Sequence, residues 1–280
     1  MMLLDLICYD CIVEQVDEGA PYNKASEPIL TPFEQVNDSG IYEVKCSKGH
    51  NCKTIIDNID FEILFEYGLN SLVDGYYRES VSSFTSAMER FHEFFIKTVL
   101  RAAGMEFDKI DITWKNISSQ SERQLGAYIT VYAQTFKKAP PILNTNKEIP
   151  FRNAVIHKGK IPSKEEAIKY GNRVLNLIEA SLILLKIKHP KEVKETFKNY
   201  GYRIKAESKL EKNQKESGTE EGFAIVNIMT TIDVMHGREL NENDGRKGDI
   251  ECRLLNILDR RNPRKLMLVK DDPTKTGKKE

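Results

Sequence analysis

The stretch RNAVIHKG at positions 152–159 decides how this chain is interpreted. It places a guanidinium, a side-chain amide and an imidazole within about a turn and a half of helix. An Arg offers a fixed fork of donors that matches phosphate oxygens, and a His can give or take a proton near neutral pH. These groups suit the binding of a phosphodiester and the movement of a proton on it. An Arg and a His five positions apart are nevertheless common, and two solvated helix residues are the plain alternative.

The residues on both sides of this stretch predict helices. Residues 61–103 have the pattern of two helices broken at Asp74-Gly75, and the second helix carries an apolar stripe at helical spacing. The stripe consists of Val81, Phe84, Met88, Phe91, Phe95 and Val99. Downstream, Ser163 and Glu166 form a capping box that begins another helix, and His189-Pro190 ends it. The motif is therefore expected at the end of one helix, against a turn, in a mainly α-helical bundle.

In this order, the elements resemble the HEPN superfamily, whose members carry an Arg, a polar residue, a short spacer and a His at this place. The stretch from Gly75 to Val81, leading into Ser86-Ala87-Met88-Glu89, also looks like the first helical hairpin of that family. The resemblance covers about residues 58–190. It implies a HEPN-like helical bundle over residues 57–204.

The resemblance also implies an activity, that of a metal-independent endoribonuclease in which the RNA 2′-hydroxyl attacks its own phosphorus. His157 would be the general acid or base, and Arg152 would stabilise the nonbridging oxygens. Asn153 would position the phosphate or hold the imidazole. Glu89, on the facing helix, would orient Arg152 or His157, with an exposed surface glutamate as the alternative.

Partners follow from the same resemblance. Family members usually pair their motifs in a shared cleft, which implies a homodimer. Single-stranded RNA loops, such as those of tRNA, are the implied substrate, because the 2′-hydroxyl must be free to swing in line. Bacterial members commonly act as toxins or anti-phage abortive-infection effectors, with an antitoxin or a phage-derived trigger as a further partner. The rival interpretation is a non-catalytic dimeric module that binds a nucleotide, a nucleic acid or a protein.

Composition limits where such a chain can work. Lys+Arg and Asp+Glu number 42 each, so no overall field attracts RNA, and binding must depend on a local basic patch. Apolar residues make up 40% and charged residues 30% of the chain, as in soluble globular proteins. No apolar run approaches the roughly 20 residues of a membrane span, and the first residues lack the basic start of a signal peptide. We therefore expect a cytoplasmic protein with no membrane partner.

The cysteines predict a zinc site. Cys8 and Cys11 have the spacing of one pair of ligands, and Cys46 with His50 has that of another. The fourth ligand is open at this stage, because Cys52 in place of His50 would make an all-cysteine site. The pattern resembles a zinc ribbon with a long stretch between its halves, and a closed four-ligand site is structural rather than catalytic. Unligated cysteines in a small lobe are the alternative.

The chain is thus expected to consist of several parts. Residues 1–56 would form a zinc-ribbon-like β lobe before the helical domain. The almost uniformly polar residues 205–221 have the pattern of a charged linker, with a solvated helix end as the alternative. Residues 222–269 would form a small α+β C-terminal lobe, and residues 270–280 a disordered tail.

Overall fold

The computed structural model describes residues 2–4, 6–17, 34–217 and 222–235, together with 250–251, 253–255 and 257–258. In chain order the elements are β1 (Leu3–Leu4), α1 (Tyr9–Asp17), β2 (Glu34–Gln35), β3 (Ile41–Lys45), β4 (Asn51–Ile56), α2 (Asp60–Val73), α3 (Tyr77–Ala102), α4 (Phe107–Ile117), α5 (Ser121–Phe136), α6 (Glu148–His157), α7 (Lys164–Lys188), α8 (Pro190–Tyr200), α9 (Tyr202–Ser217) and β5 (Phe223–Val226). The described part of 250–258 is helical as well. The prediction of a mainly helical protein with a small sheet is confirmed.

The centre of the bundle is α3, which packs against α2, α5, α6, α7 and α8. Its predicted stripe is confirmed, with Val81, Phe84 and Phe95 fully buried and Val99 partly buried. The predicted break between α2 and α3 is also confirmed, because α2 ends at Val73 and the turn after it follows at once. The capping box at Ser163 begins α7 as expected, with the hydroxyl accepting the Glu166 backbone N–H.

The ring of Phe84 is held between two helical glycines. A Cβ atom added at Gly68 of α2 would lie 2.5 Å from this ring, and one added at Gly171 of α7 would lie 2.5 Å from its other edge. The ring is fully buried, so it cannot move away from one glycine without approaching the other. These two positions therefore allow α2, α3 and α7 to pack closely around one aromatic side chain.

We expect Gly68→Ala to destabilise the protein by about 1–3 kcal/mol, because the new methyl group overpacks the Phe84 ring. Gly126→Ala is the matched control, since a Cβ at this exposed position in α5 meets nothing within 4 Å. The control should be neutral or stabilised by up to about 1 kcal/mol through helix propensity. Denaturant unfolding of both variants measures the difference, and equal stabilities would refute the packing argument.

His92 is a core residue of α3 and not part of a reactive site. Its ring stacks on Tyr128 at a centroid distance of 4.3 Å, and burial lowers its pKa from 6.5 to about 3. Below about pH 6.5 the unfolded chain therefore binds a proton that the folded chain does not bind. The free energy of unfolding must fall as pH falls from 6.5 towards 3.

His92→Phe should remove this acid sensitivity while it keeps an aromatic ring against Tyr128. Between about pH 7 and pH 5, we expect the wild type to lose about 2 kcal/mol more stability than the variant. The other titrating groups contribute equally to both proteins, so the difference isolates His92. Urea unfolding at the two pH values would contradict the expectation if both proteins lost the same stability.

The small sheet joins the two ends of the described chain. Strands β3 and β4 pair antiparallel, and β5 adds to β4 in parallel, with Lys53 opposite Phe223 and Ile56 opposite Val226. Of the lobe predicted for 222–269, the described residues Phe223–Val226 therefore belong to the same sheet as the N-terminal strands. Ile250, Leu254 and Ile257 are buried at helical spacing, and Asn172 of α7 accepts the Ile250 backbone N–H. This part of the chain packs on existing layers because its apolar residues are too few to form a core of their own.

Two buried carboxylates of α2 hold the segment that follows β5. Glu62 accepts the backbone N–H of Val234 at 2.7 Å, and Glu66 accepts that of Thr231 at 3.0 Å. Burial raises the pKa of Glu62 to about 8, although the Val234 and Ile59 N–H groups and the Asn58 amide oppose that rise. These bonds tie residues 228–234 to the helical bundle and so connect the sheet to the bundle.

The linker predicted for 205–221 is wrong for residues 205–217, which belong to α9 as the alternative of a solvated helix end predicts. Ala206 and Leu210, four positions apart, are buried against Ile55 of β4. Because Ala206 and Leu210 are the only apolar residues of 205–217, this part of α9 has the sequence pattern of a charged spacer. The predicted tail at 270–280 lies outside the described residues. Among the described helices, none combines the length and the apolar character needed to cross a bilayer.

Candidate functional site

Helix α6 carries the motif, and the core fixes its position. Val155 is fully buried, and the ring of Phe151 lies 5.6 Å from that of Tyr170 on α7. Pro150 falls in the first turn of the helix, where its missing N–H costs nothing. The helix ends at His157, and the backbone N–H groups of Lys158 and Lys160 donate to Ala154. The predicted position of the motif, at a helix end against a turn, is confirmed.

Arg152 is turned towards α3, and its side chain is only 19% exposed. Its Nη2 lies 4.0 Å from Oε1 of Glu89, and its Nη1 donates to Oδ1 of Asn153 at 3.1 Å. Its Nε is buried and has no hydrogen-bond partner among the described residues. The guanidinium is thus held by one hydrogen bond to Asn153 and one long ion pair with Glu89, and its Nε donor is unused among the described residues.

Buried groups of α3 and α7 surround this guanidinium. Tyr170 hydrogen-bonds Thr85 at 2.8 Å, and burial raises the pKa of its hydroxyl to about 12. The charge of Arg152 opposes that rise, whereas the charges of Glu89 and Glu148 increase it. Arg152 therefore lies near the Glu89 carboxylate and a phenol that remains protonated at neutral pH.

His157 lies apart from this group. It is exposed, and it makes no hydrogen bond or ion pair with the residues that the structure describes. Five helical positions turn a side chain by about 140°, so Arg152 and His157 do not share a face of α6. Asn153 and His157, four positions apart, are on one face. Within one chain the structure thus brings Arg152, Asn153 and Glu89 together, but not His157.

A local excess of positive charge follows the motif, and it was missed in the sequence. No acidic residue occurs between Glu148 and Glu165, whereas this stretch contains Arg152, Lys158, Lys160 and Lys164. Lys160 pairs with Glu166 at 2.6 Å. Lys158 and Lys164 are exposed and have no acidic side chain within 4 Å in the described part of the chain. Counting the acidic and basic residues along the sequence is enough to find this basic stretch.

The N-terminal region contains a second site, a Cys/His cluster formed by Cys8, Cys11, Cys46 and His50. Their ligand atoms all lie within 4.8 Å of one another. Cys11 Sγ is 3.6 Å from Cys46 Sγ and 3.3 Å from His50 Nδ1. Ligands at zinc-type bond lengths in a tetrahedron are about 3.5–3.8 Å apart. The cluster could therefore hold a metal ion, and the predicted metal ligands are brought together.

The two halves of the cluster are built differently. Cys46 and His50 flank a tight turn between β3 and β4, in which the Cys46 N–H donates to the His50 carbonyl at 3.1 Å. Gly49 allows this turn because its φ of 90° is in the left-handed region. Cys8 and Cys11 lie at the start of α1. The zinc-ribbon resemblance therefore fails for the first half, since a spacing of three suits a helical turn as well as a β knuckle.

His50 fits the fourth position better than Cys52 does. Its Nδ1 faces Cys11 and Cys8, while its Nε2 lies 3.0 Å from Oε1 of Glu14 on α1. A carboxylate in this position fixes the tautomer that leaves Nδ1 free to bind a metal ion. Glu14 was missed in the sequence, because nothing in the spacing indicates that it reaches His50. Cys52 lies beside the cluster, with its Sγ 3.5 Å from that of Cys8.

The thiols of the cluster differ in acidity. Burial acts to raise the pKa of Cys46, but backbone N–H groups of His50 and Lys48, together with the Cys11 and Cys8 thiols, outweigh it and lower that pKa to about 7. Burial raises the pKa of Cys11 to about 12, and its hydrogen bond to Cys46 adds to the rise. The β3–β4 turn thus holds the more acidic of these two thiols.

Comparison with protein-family models, curated proteins and solved structures finds no match to this chain. The HEPN resemblance therefore stays a prediction from the sequence, and the functional argument depends on the residues themselves.

Proposed function

We propose that this chain is a metal-independent endoribonuclease of HEPN type, with a toxin or anti-phage role. The observation that carries the proposal is the Arg152 guanidinium, which Asn153 and Glu89 hold on α6 beside the exposed Lys158. A phosphate is a natural acceptor for the solvent-facing part of such a guanidinium. The neighbouring lysines supply the local basic surface that a neutral chain needs for RNA.

The residues suit cleavage by the RNA 2′-hydroxyl. Arg152 would bind the nonbridging oxygens and stabilise the charge that develops on the phosphorane. His157, exposed at the end of α6, would exchange a proton with the 2′-oxygen or the leaving 5′-oxygen. Asn153 would position the phosphate between them. The products would be a 2′,3′-cyclic phosphate and a 5′-hydroxyl.

A homodimer would complete the site. One His157 cannot serve both proton transfers at once, and it does not share a face with Arg152 on its own helix. A second copy could place its own motif in the same cleft. We expect light scattering to give the mass of a dimer at micromolar concentration. A stable monomer that still cleaves RNA would contradict this expectation.

The Cys/His cluster is proposed to bind one structural zinc ion. Cys8, Cys11, Cys46 and His50 supply the three sulfurs and one nitrogen of a closed tetrahedral site, with no position left for a reactant. The zinc would connect α1 to the β3–β4 hairpin. It would stabilise the N-terminal region and take no part in RNA cleavage.

The rival function is a dimeric binding module without catalysis. The specific observation in its favour is the separation of Arg152 from His157, because a binding surface needs no proton donor beside the guanidinium. The exposed Lys158 and Lys164 would serve such a module equally well.

Expression of the wild type beside His157→Ala separates the two functions. We expect growth arrest and degraded total RNA only with the wild type, at equal protein levels. Lys147→Ala, an exposed residue at the other end of α6, is the control and should behave as the wild type. Equal toxicity of wild type and His157→Ala, with intact RNA in both, would favour the binding module.

A further inference from the structure

Cys52 is a thiol that the proposed zinc site does not need. Four other side chains already supply a full tetrahedral set, yet Cys52 Sγ lies 3.5 Å from the sulfur of one of them, Cys8. The backbone N–H of Tyr9, at the start of α1, donates to Cys52 Sγ at 3.3 Å. This fourth thiol of the N-terminal region is therefore held against a ligand thiol by the fold.

Cys52 is itself buried, with 9% of its surface exposed. It lines an open groove of about 680 Å³, together with Asp10, Glu43, Val44, Lys45, Asn51, Lys53 and Gly222. None of Cys8, Cys11 and Cys46 is among the lining residues. A small polar solute in this groove would thus meet Cys52 before it meets a metal ligand.

We infer that Cys52 is an oxidation site that controls the metal centre: a hydroperoxide oxidises Cys52, which then forms a disulfide with Cys8 and releases the zinc. The inference rests on the proposed zinc site. It deepens the function by giving the N-terminal region a redox response that is separate from RNA cleavage.

The chemistry balances with hydrogen peroxide as the oxidant. The Cys52 sulfur bonds to one peroxide oxygen as the O–O bond breaks, and water leaves with the thiol proton, which gives a sulfenic acid. The Cys8 thiolate attacks this sulfur, the S–S bond forms and the S–O bond breaks. The departing hydroxide takes a proton from solvent. Two thiols are oxidised, and one peroxide is reduced to two waters.

The geometry favours Cys8 as the partner. A disulfide needs an S–S distance of about 2.05 Å, so the two sulfurs must approach each other by about 1.5 Å, which side-chain rotation can provide. Once Cys8 is in the disulfide, only Cys11, Cys46 and His50 remain to hold the ion. Loss of one of four ligands opens the site to exchange and chelation.

The test compares the wild type, Cys52→Ser and Cys252→Ser, all loaded with zinc, during stepwise addition of hydrogen peroxide. A chromogenic chelator follows zinc release, and mass spectrometry of alkylated peptides maps the disulfides. We expect the wild type and Cys252→Ser to release about one zinc per chain and to contain a Cys8–Cys52 disulfide that dithiothreitol reverses. Cys52→Ser should retain its zinc at the same peroxide dose.

Two results would overturn the inference while leaving the proposed zinc site in place. One is release of zinc from Cys52→Ser at the wild-type rate, and the other is a wild-type disulfide that lacks Cys52. If Cys52→Ser were purified without metal, Cys52 would itself be a ligand and the inference would also be wrong. Absence of zinc from the wild type would instead remove the metal site itself.

Discussion

His157→Ala is expected to lower the rate of RNA cleavage by about 10²–10⁴-fold, the usual effect of a lost general acid–base group. The residue is exposed at the end of α6 and supports no packing, so the folded structure and its stability should be unchanged. Single-turnover cleavage of a single-stranded RNA, beside a circular dichroism spectrum of each protein, measures both effects. A variant that cleaves at the wild-type rate would exclude His157 from the chemistry.

Arg152→Ala should reduce cleavage to a similar extent, because the phosphorane charge loses its main stabilising group. Arg152→Lys should restore only part of the rate, since a point charge cannot reproduce bidentate binding of phosphate. This pair distinguishes catalysis from simple attraction of RNA. Full activity of Arg152→Lys would mean that Arg152 contributes charge alone.

Cys46→Ser should abolish metal binding and unfold the N-terminal region. A structural zinc site contributes about 10–16 kcal/mol of binding energy to folding, and Cys46 supplies the sulfur with the lowered pKa. Hydrogen exchange should show lost protection in β3 and β4, whereas α3 keeps the protection of its own core. Metal analysis of the purified protein gives the stoichiometry directly.

The matched controls for Cys46→Ser identify the fourth ligand. Cys52→Ser should retain the metal, and His50→Ala should lose it, because His50 Nδ1 faces the thiols and Glu14 holds the ring. The reverse result, with metal retained in His50→Ala and lost in Cys52→Ser, would establish the all-cysteine site.

Those parts of the fold with strong local patterns could be predicted from the sequence. The α2–α3 hairpin, α6 and α7 each have a long apolar stripe, a turn glycine or a capping box, and these signals depend only on neighbouring residues. The C-terminal residues could not be placed in this way. β5 finds its partner β4 about 170 positions away, and the part of α9 beyond its first turn packs on the sheet through Ala206 and Leu210. Such pairings depend on the whole chain.

The same distinction applies to the sites. Ligand spacing predicted that Cys8, Cys11 and Cys46 meet, because each pair is local and only two pairs had to be joined. It left His50 and Cys52 as alternatives for the fourth position. The contact between Glu14 and His50 was invisible, since it requires α1 to lie against the β3–β4 turn. The sequence motif alone does not predict the directions of the Arg152 and His157 side chains. Residues five apart on a helix diverge, so adjacency in sequence did not place Arg152 and His157 in one cleft.

Cleavage of a labelled single-stranded RNA in the presence of EDTA tests the central claim most directly, with analysis of the ends produced. We predict that the freshly purified wild type cuts the RNA without added metal and leaves a 2′,3′-cyclic phosphate and a 5′-hydroxyl. His157→Ala and Arg152→Ala should both leave the RNA intact under the same conditions. An absolute requirement for Mg²⁺, or equal cleavage by wild type and both variants, would contradict the account.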